Sequence, residues 1–400
     1  MRLWTLGAAD PLTLTLAADA RFSTPDYSND HIWELELGSG EPAALSLRTT
    51  YGLRARAMRI FPRFREGSAE VSNPAEFFSA PVVTAFYANF IEVRFSPFED
   101  VEVVAEYWVP DSHSICGRLS FANSKTEDRT IEFELATSLS PIDGQNFKPQ
   151  QIQAVNVLGG ETGNLAPVIF LTGGPALGTG PQPSLNLKVD LGPGSKRRFS
   201  WAQAALPETE DSFILARKTV SRPFDAERAR IELTNASQTV DIETGDPAWD
   251  AGFALSQQAA FRLFFNGNET LPHPTFVTAR QPDHGNSLVG TGSDHPSSWN
   301  GQSPLEAYYL ASLLPRVPAL GEGLIENFIA AQDQDGSIDH KIGLAGQRSK
   351  ILAAPFLASL AWKLYEQSEN KNFLTAIYPA LSKFFWTWFS REHDRNNDTL

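Results

Sequence analysis

The stretch Val101-Glu102-Val103-Val104-Ala105-Glu106-Tyr107-Trp108-Val109 alternates along its length. Successive side chains of an extended chain point to opposite sides, so Val101, Val103, Ala105, Tyr107 and Val109 share one face and Glu102 and Glu106 the other. The same period runs outward in both directions. Ile91, Val93 and Phe95 alternate with Glu92, Arg94 and Ser96, and Ile131, Phe133 and Leu135 with Thr130, Glu132 and Glu134. Leu45 to Arg48, Leu53 to Ile60, Leu185 to Leu191 and Phe199 to Ala205 are further candidates. Half-solvated strands separated by Gly, Pro, Asn and Asp turns predict a large antiparallel β-sandwich over residues 1–210.

The period changes near residue 245. Asp246-Pro247 offers an N-cap followed by proline at the first helical position, and Trp249, Phe253, Ala260 and Phe264 behind it fall near one helical face. Ser303-Pro304-Leu305-Glu306 is a capping-box sequence that starts a helix over Leu305 to Leu314. Pro318 to Ala331 and Leu352 to Gln367 read as two more helices. The clearest is the last, where Phe373, Ile377, Leu381, Phe384 and Trp388 keep helical spacing. Between the halves, residues 211–245 read as a linker, broken at Pro223 and holding a short helix over Asp225 to Ile231. The expected organisation is a sandwich, a linker, and a helical domain over 246–400 whose long loops, such as Gly267 to Gln302, are of the length that usually serves function.

Composition removes several function classes. A length of 400 residues is long for one core, and a formal charge of −14 argues against a nucleic-acid binder or a basic membrane-surface patch. A single cysteine, Cys116, excludes an internal disulfide framework and any cysteine-built zinc site. No apolar run reaches the roughly 18 residues of a membrane helix, and Asp10-Pro11 interrupts any leader-like start, so a cytoplasmic location is expected. Gly173-Gly174-Pro175 to Gly180-Pro181 lacks the Lys-Ser/Thr of a phosphate loop, Gly290-Thr291-Gly292 neither follows a strand nor opens a helix, and no G-x-S-x-G elbow occurs. Nothing that would activate a thiol flanks Cys116.

Candidate chemistry gathers in the second half. Asp283-His284, Asp294-His295 and Asp339-His340 pair an acid with an imidazole, as a polar loop site for a hydroxyl-rich ligand would, although an Asx-type turn explains any one pair better. Trp299, Asn300 and Gln302 precede the capping box and combine a stacking face with neutral hydrogen-bonding groups, which suits a sugar and equally a buried Trp with loop amides. A second polar loop carries Asp339, His340, Lys341, Gln347 and Arg348, where Lys341 or Arg348 can meet hydroxyls, a carboxylate or a loop acid. Asp394, Asn396 and Asp398 space three oxygen ligands two apart, the spacing of a calcium loop without its glycine, which admits one structural calcium ion.

These motifs resemble those of six-hairpin glycosidases, and most of all glycoside hydrolase family 63, which includes processing α-glucosidase I and mannosylglycerate hydrolase. Amylo-α-1,6-glucosidases and trehalases look more distantly alike. The resemblance rests on Asp246-Pro247-Ala248-Trp249-Asp250, on Trp299-Asn300-Gly301-Gln302 where the family often has a Trp-Asp-x-Trp-like loop, on Gln347-Arg348 to Trp362, and on Phe385-Trp386-Thr387-Trp388 with Arg391 and the Asp394 to Asp398 turn. Asn300 stands where an acid is usual. The resemblance implies a multidomain β + α protein, in which a supersandwich-like N-terminal domain precedes the first part of an (α/α)6 barrel. It implies inverting hydrolysis of an α-glycosidic bond in an α-glucoside or glycosylglycerate-like carbohydrate, with no required cofactor. Such chemistry uses one carboxylic acid and one carboxylate, about 6.5–9.5 Å apart. Both are expected after Leu400, in a chain that looks truncated within its barrel, so no residue here is assigned to either role. A glycoside phosphorylase or sugar epimerase on the same scaffold, or a carbohydrate-binding protein without turnover, are the alternatives.

Overall fold

A computed structural model describes residues 4–5, 13–37, 45–296 and 300–393. The chain divides into two compact units, Met1–Ile231 with Gln281–Asn286, and Glu232–Arg280 with Ser287–Leu400.

The first unit is built on two antiparallel sheets. One has nine strands in the order Trp4–Thr5, Ser79–Tyr87, Phe90–Phe98, Val101–Asp111, Ser114–Asn123, Lys196–Leu206, Ala166–Leu171, Val155–Glu161 and Gln145–Ile152. The other runs Ala176–Leu177, Ser184–Leu191, Arg129–Pro141, Ala55–Glu66, Ser46–Thr49, Trp33–Glu36 and Thr13–Leu16, with Ala69–Val71 paired to Ala55–Glu66. The sheets face each other through an aromatic core. Phe64 lies 5.7 Å from Phe95 and 6.2 Å from Phe121 across the sandwich, and Phe133 lies 5.6 Å from Phe121. The alternating apolar positions of the sequence are the ones that meet here, so the expected sandwich is the observed one.

Two differences from the sequence reading have one cause. The stretch expected to be a linker with one short helix over Asp225 to Ile231 instead carries two longer helices: α1 spans Thr209–Val220, and α2 spans Phe224–Gln238 and contains the expected one. In α1, Phe213 and Ala216 are fully buried. They pack against Val157 and Val168, and against Cys116, Ala202 and Ala204, on the outer face of the nine-stranded sheet. That face is therefore covered rather than wet, and Val101–Asp111 alternates only over its first residues before becoming buried on both sides. Glu106, expected to face solvent, is 2% exposed. It survives burial because Arg118 donates to both of its oxygens at 2.5 and 2.8 Å and Arg228 of α2 reaches it at 2.8 Å.

In the second unit the described helices are α3 (Pro247–Arg262), α4 (Pro304–Leu313), α5 (Pro318–Ala330), α6 (Phe356–Ser368) and α7 (Lys371–Thr387). Asp246 and Ser303 cap α3 and α4 as expected, each with proline in the first turn. α6 starts later than its apolar pattern suggested, because Leu352 pairs with Asp339 in an isolated bridge and Pro355 bars the preceding residues from the helix. Among the described residues no helix is long and apolar enough to cross a membrane.

Candidate functional site

The loop before α4 and the loop between α5 and α6 fold onto each other within the second unit. Gln302 and Ile342 exchange backbone hydrogen bonds at 2.9 and 3.3 Å, and Ile342 also bridges to Arg348. Close approach at this crossing needs glycine, since a Cβ on Gly301 would sit 2.8 Å from the Ile342 carbonyl oxygen. The α5–α6 loop turns back on itself as an irregular hairpin. His340 N–H donates to the Ile351 carbonyl at 2.6 Å and Ala353 N–H to Ile338 at 2.8 Å. Asn300, Gln302, Asp339, His340 and Arg348, separated in sequence, thus belong to one loop cluster.

Within it the side chains divide by what they touch. The Gln302 amide is fully buried and internally used: Oε1 accepts from Thr275 Oγ1 at 2.7 Å and Asn327 Nδ2 at 3.3 Å, while Nε2 donates to the Leu324 carbonyl at 2.8 Å. It braces the loop rather than facing outward. Asn300 is also buried, with Nδ2 3.4 Å from the Pro296 carbonyl. Arg348 places Nε 2.7 Å from Asp339 Oδ2 and its other nitrogen 2.6 Å from the Ala331 carbonyl at the C-terminal end of α5, where a cation meets the negative pole of the helix. His340 is half-buried, and its ring makes no hydrogen bond to another described residue. Lys341 Nζ reaches both oxygens of Glu306 at 3.1 and 2.9 Å, and Ser303 Oγ donates to the same carboxylate at 2.5 Å. Glu306 is therefore held by the capping box and a lysine, and Asp339 by an arginine. Both carboxylates are committed to cations.

The three acid–histidine pairs fall in different units of the chain. Asp294 accepts from Ser287 Oγ at 2.6 Å and Leu288 N–H at 2.7 Å in a local turn, and the first of these bonds holds its carboxyl below the usual range. Its loop is tied to the cluster through Gln347 Nε2, which donates to the Gly292 carbonyl at 2.7 Å. Asp283 and His284 belong to the Gln281–Asn286 segment of the first unit. Trp299 and the Asp394, Asn396 and Asp398 trio lie outside the described residues. Among those described, no group of three or more His, Cys, Asp or Glu is arranged to hold a metal ion. Cys116 is fully buried, and burial pushes its thiol up to about 12.

Two groups of polar residues escaped the sequence reading. Asn327 sits in the apolar run of α5, and its amide exchanges bonds of 3.0 Å with the backbone of His273. A polar residue inside an otherwise apolar helical stripe is the signal that would have found it. In the first unit, His31 is fully buried beside Arg54, whose guanidinium reaches its Nε2 at 2.9 Å. Its ring stands edge-on to His113 at 5.4 Å, and His113 pairs with Asp26 at 3.3 Å. Burial, reinforced by Arg54, drives the His31 pKa well below the usual value, so this imidazole is neutral. These residues come from three separate loops with no local motif to join them.

No family model and no curated protein matches the sequence. Solved structures do resemble it at low identity. A bacterial glucoamylase solved with acarbose matches with a TM-score of 0.52 and 9% identity, over 97% of this chain and 61% of its own. A protein from the human microbiome assigned as a kojibiose phosphorylase matches with a TM-score of 0.46 and 10% identity, over 95% and 60%. A family GH92 α-mannosidase from Bacteroides thetaiotaomicron gives 0.32 and 10%, over 95% and 54%. The chain thus spans about three-fifths of the first two structures, and the likeness to the glucoamylase is one of fold.

Proposed function

We propose that this chain is the sandwich and the first helices of a carbohydrate-processing enzyme, a six-hairpin glycosidase that hydrolyses an α-glucoside or glycosylglycerate-like substrate with inversion. The observation that carries the reading is the loop cluster. Two helix-joining loops form one platform that holds Asp339, His340 and Arg348 at the same end of α4 and α5. Pairing a carboxylate with a guanidinium there presents both acceptors and donors, which is what sugar hydroxyls require. The aromatic faces of α6 and α7 add support. Trp362, Tyr378 and Trp386 are 56%, 69% and 65% exposed, a surface of the kind that further helices bury in an (α/α)6 barrel. The family 63 motifs agree with this reading, as does the fold likeness to a glucoamylase.

In this reading Arg348 and Asp339 orient the sugar, and neither does the acid–base chemistry. This reading assigns neither the acid that protonates the leaving oxygen nor the base that activates water to a residue named here. No cofactor is required in this reading, and Asp394, Asn396 and Asp398 are the proposed ligands of a structural calcium ion. The test is turnover by the full-length natural gene product on α-glucosides and mannosylglycerate, with and without phosphate. Sugar release independent of phosphate is expected. Release that requires phosphate would make the protein a phosphorylase, and a product of unchanged mass would make it an epimerase. Binding without turnover would make it a carbohydrate-binding protein.

A further inference from the structure

The outer face of the eight-stranded sheet carries a cavity of about 500 Å³ that the loop cluster does not use. Its floor follows from alternation. Phe64, Phe133 and Leu187 turn inward and are buried, so their neighbours on the three adjacent strands turn outward. Register then sets these neighbours in two rows: Arg63, Glu134 and Asn186 lie side by side, as do Arg65, Glu132 and Lys188. Each guanidinium therefore stands next to a carboxylate, at 3.5 Å for Arg63 with Glu134 and 3.5 Å for Arg65 with Glu132. Glu70 closes one end, 3.0 Å from Arg65.

The opposite wall is the glycine- and proline-rich loop around residues 176–181. It lies close to the sheet because Gly178 has no side chain: a Cβ there would fall 1.8 Å from Ser184 Oγ. Its N–H instead donates to the Ser184 carbonyl at 2.9 Å. Beneath this wall the Asn186 Oδ1 atom is buried and accepts no hydrogen bond from a described residue.

We propose that this cavity binds a short neutral saccharide, as a binding site on the sandwich separate from the helical loop cluster and independent of the function proposed above. The charge pattern selects the class. Three cations and three carboxylates line the site, so there is no net positive charge to hold a phosphate or a uronate. Donors and acceptors alternate at the strand spacing of about 4.8 Å, and a hydroxyl, which donates and accepts, can bridge each pair without displacing a charge. An apolar ligand would find no exposed aromatic floor, because the rings face the core. The volume lies within the range of small-molecule sites, roughly 300–1,000 Å³.

The test titrates the 400-residue chain with maltose, isomaltose, cellobiose and lactose, and with inorganic phosphate and glucuronate. Binding is read by calorimetry and saturation-transfer NMR. At least one neutral disaccharide is expected to bind at millimolar concentration. Glu132→Ala removes an exposed carboxylate from the floor and Thr179→Trp fills the mouth from an exposed loop position. Each should weaken that binding by at least about tenfold or remove one binding equivalent, with the unfolding midpoint unchanged. Lys371→Ala, at an exposed position of α7 in the helical unit, should leave it intact. The assignment is overturned if no neutral disaccharide binds, if both sandwich variants bind like the parent, or if only phosphate or glucuronate binds. Loss of sugar binding in Arg348→Ala alone would also overturn it, while leaving the helical-unit reading standing.

Discussion

Arg348 Nε lies 2.7 Å from Asp339 Oδ2, and this pair joins the two limbs of the α5–α6 hairpin while the same guanidinium holds the end of α5 through the Ala331 carbonyl. One side chain thereby fixes the loop in place and keeps a carboxylate oriented. Both partners are partly exposed, with side-chain exposures of 27% and 14%. Their contribution to stability is modest and their contribution to geometry is the larger one.

The first prediction follows from that balance. Arg348→Ala should cost no more than about 1 kcal/mol of stability. In the full-length gene product it should lower kcat/KM for the sugar substrate by at least about tenfold, through lost positioning. Denaturant midpoints and steady-state kinetics on one preparation separate the two effects. A large stability loss with unchanged kcat/KM would reduce the pair to a structural contact.

A second prediction concerns the covered sheet face. Glu106 and Arg118 are buried together, with side-chain exposures of 3% and 6%, so removing one partner strands a charge. Glu106→Gln or Arg118→Met should each destabilise the sandwich by roughly 3–5 kcal/mol. Glu106→Leu combined with Arg118→Met should recover part of that loss, because neither member of the pair is then left alone and Arg228 keeps Glu92 as its partner. Urea unfolding of the three variants gives the comparison, and additive losses in the double variant would rule out the stranded-charge account.

The neutral His31 makes stability depend on pH. Its folded-state pKa lies well below the ordinary 6.5, so below that value the unfolded chain takes up a proton that the folded chain refuses. Stability should therefore fall as pH drops through 6.5 toward 5, with a slope of up to about 1.4 kcal/mol per pH unit from this group. His31→Gln should flatten the slope. Asp26, whose carboxyl is held far below its usual range first by the hydrogen bond from His113, acts in a separate and more acidic window. Its stabilisation is complete above the ordinary aspartate value and is lost only as pH falls through the depressed one. Chemical denaturation at several pH values measures both limbs.

Cys116 offers a simple check on the cover provided by α1 and α2. Its side chain is fully buried and its thiol is pushed up to about 12 by burial. A thiol reagent at neutral pH should react only as the sandwich opens, at a rate that follows the open population and levels off at the unfolding rate when reagent is in large excess. Fast, concentration-dependent labelling of the folded chain would mean that the helices do not cover this face.

Much of the architecture was legible because burial leaves a period. Phe64, Phe95, Phe121 and Phe133 all meet in the sandwich core, and Ser303 and Asp246 cap the helices that their types and neighbouring prolines announced. The cover on the outer sheet face was not legible. Glu92 and Glu106 carry the pattern of a wet face, and their burial is made tolerable by Arg118 and Arg228, distant in sequence, together with Thr84 and Arg94 beside Glu92. The candidate site was legible as residue types but not as roles. Gln302 and Arg348 have the same polar loop signature, yet one is consumed by Thr275, Leu324 and Asn327 and the other is pinned between α5 and Asp339. Those partners lie far away in sequence, and no spacing rule connects them.

The most direct measurement of the central claim is the anomeric form of the first sugar released from an α-glucoside by the full-length gene product, followed by proton NMR. The account requires turnover with the β-anomer appearing first, as inversion by an acid and a base on opposite sides of the bond demands. Release of the α-anomer first would contradict the inverting mechanism. An absence of turnover, with the sugar still bound at the loop cluster, would contradict the enzyme itself.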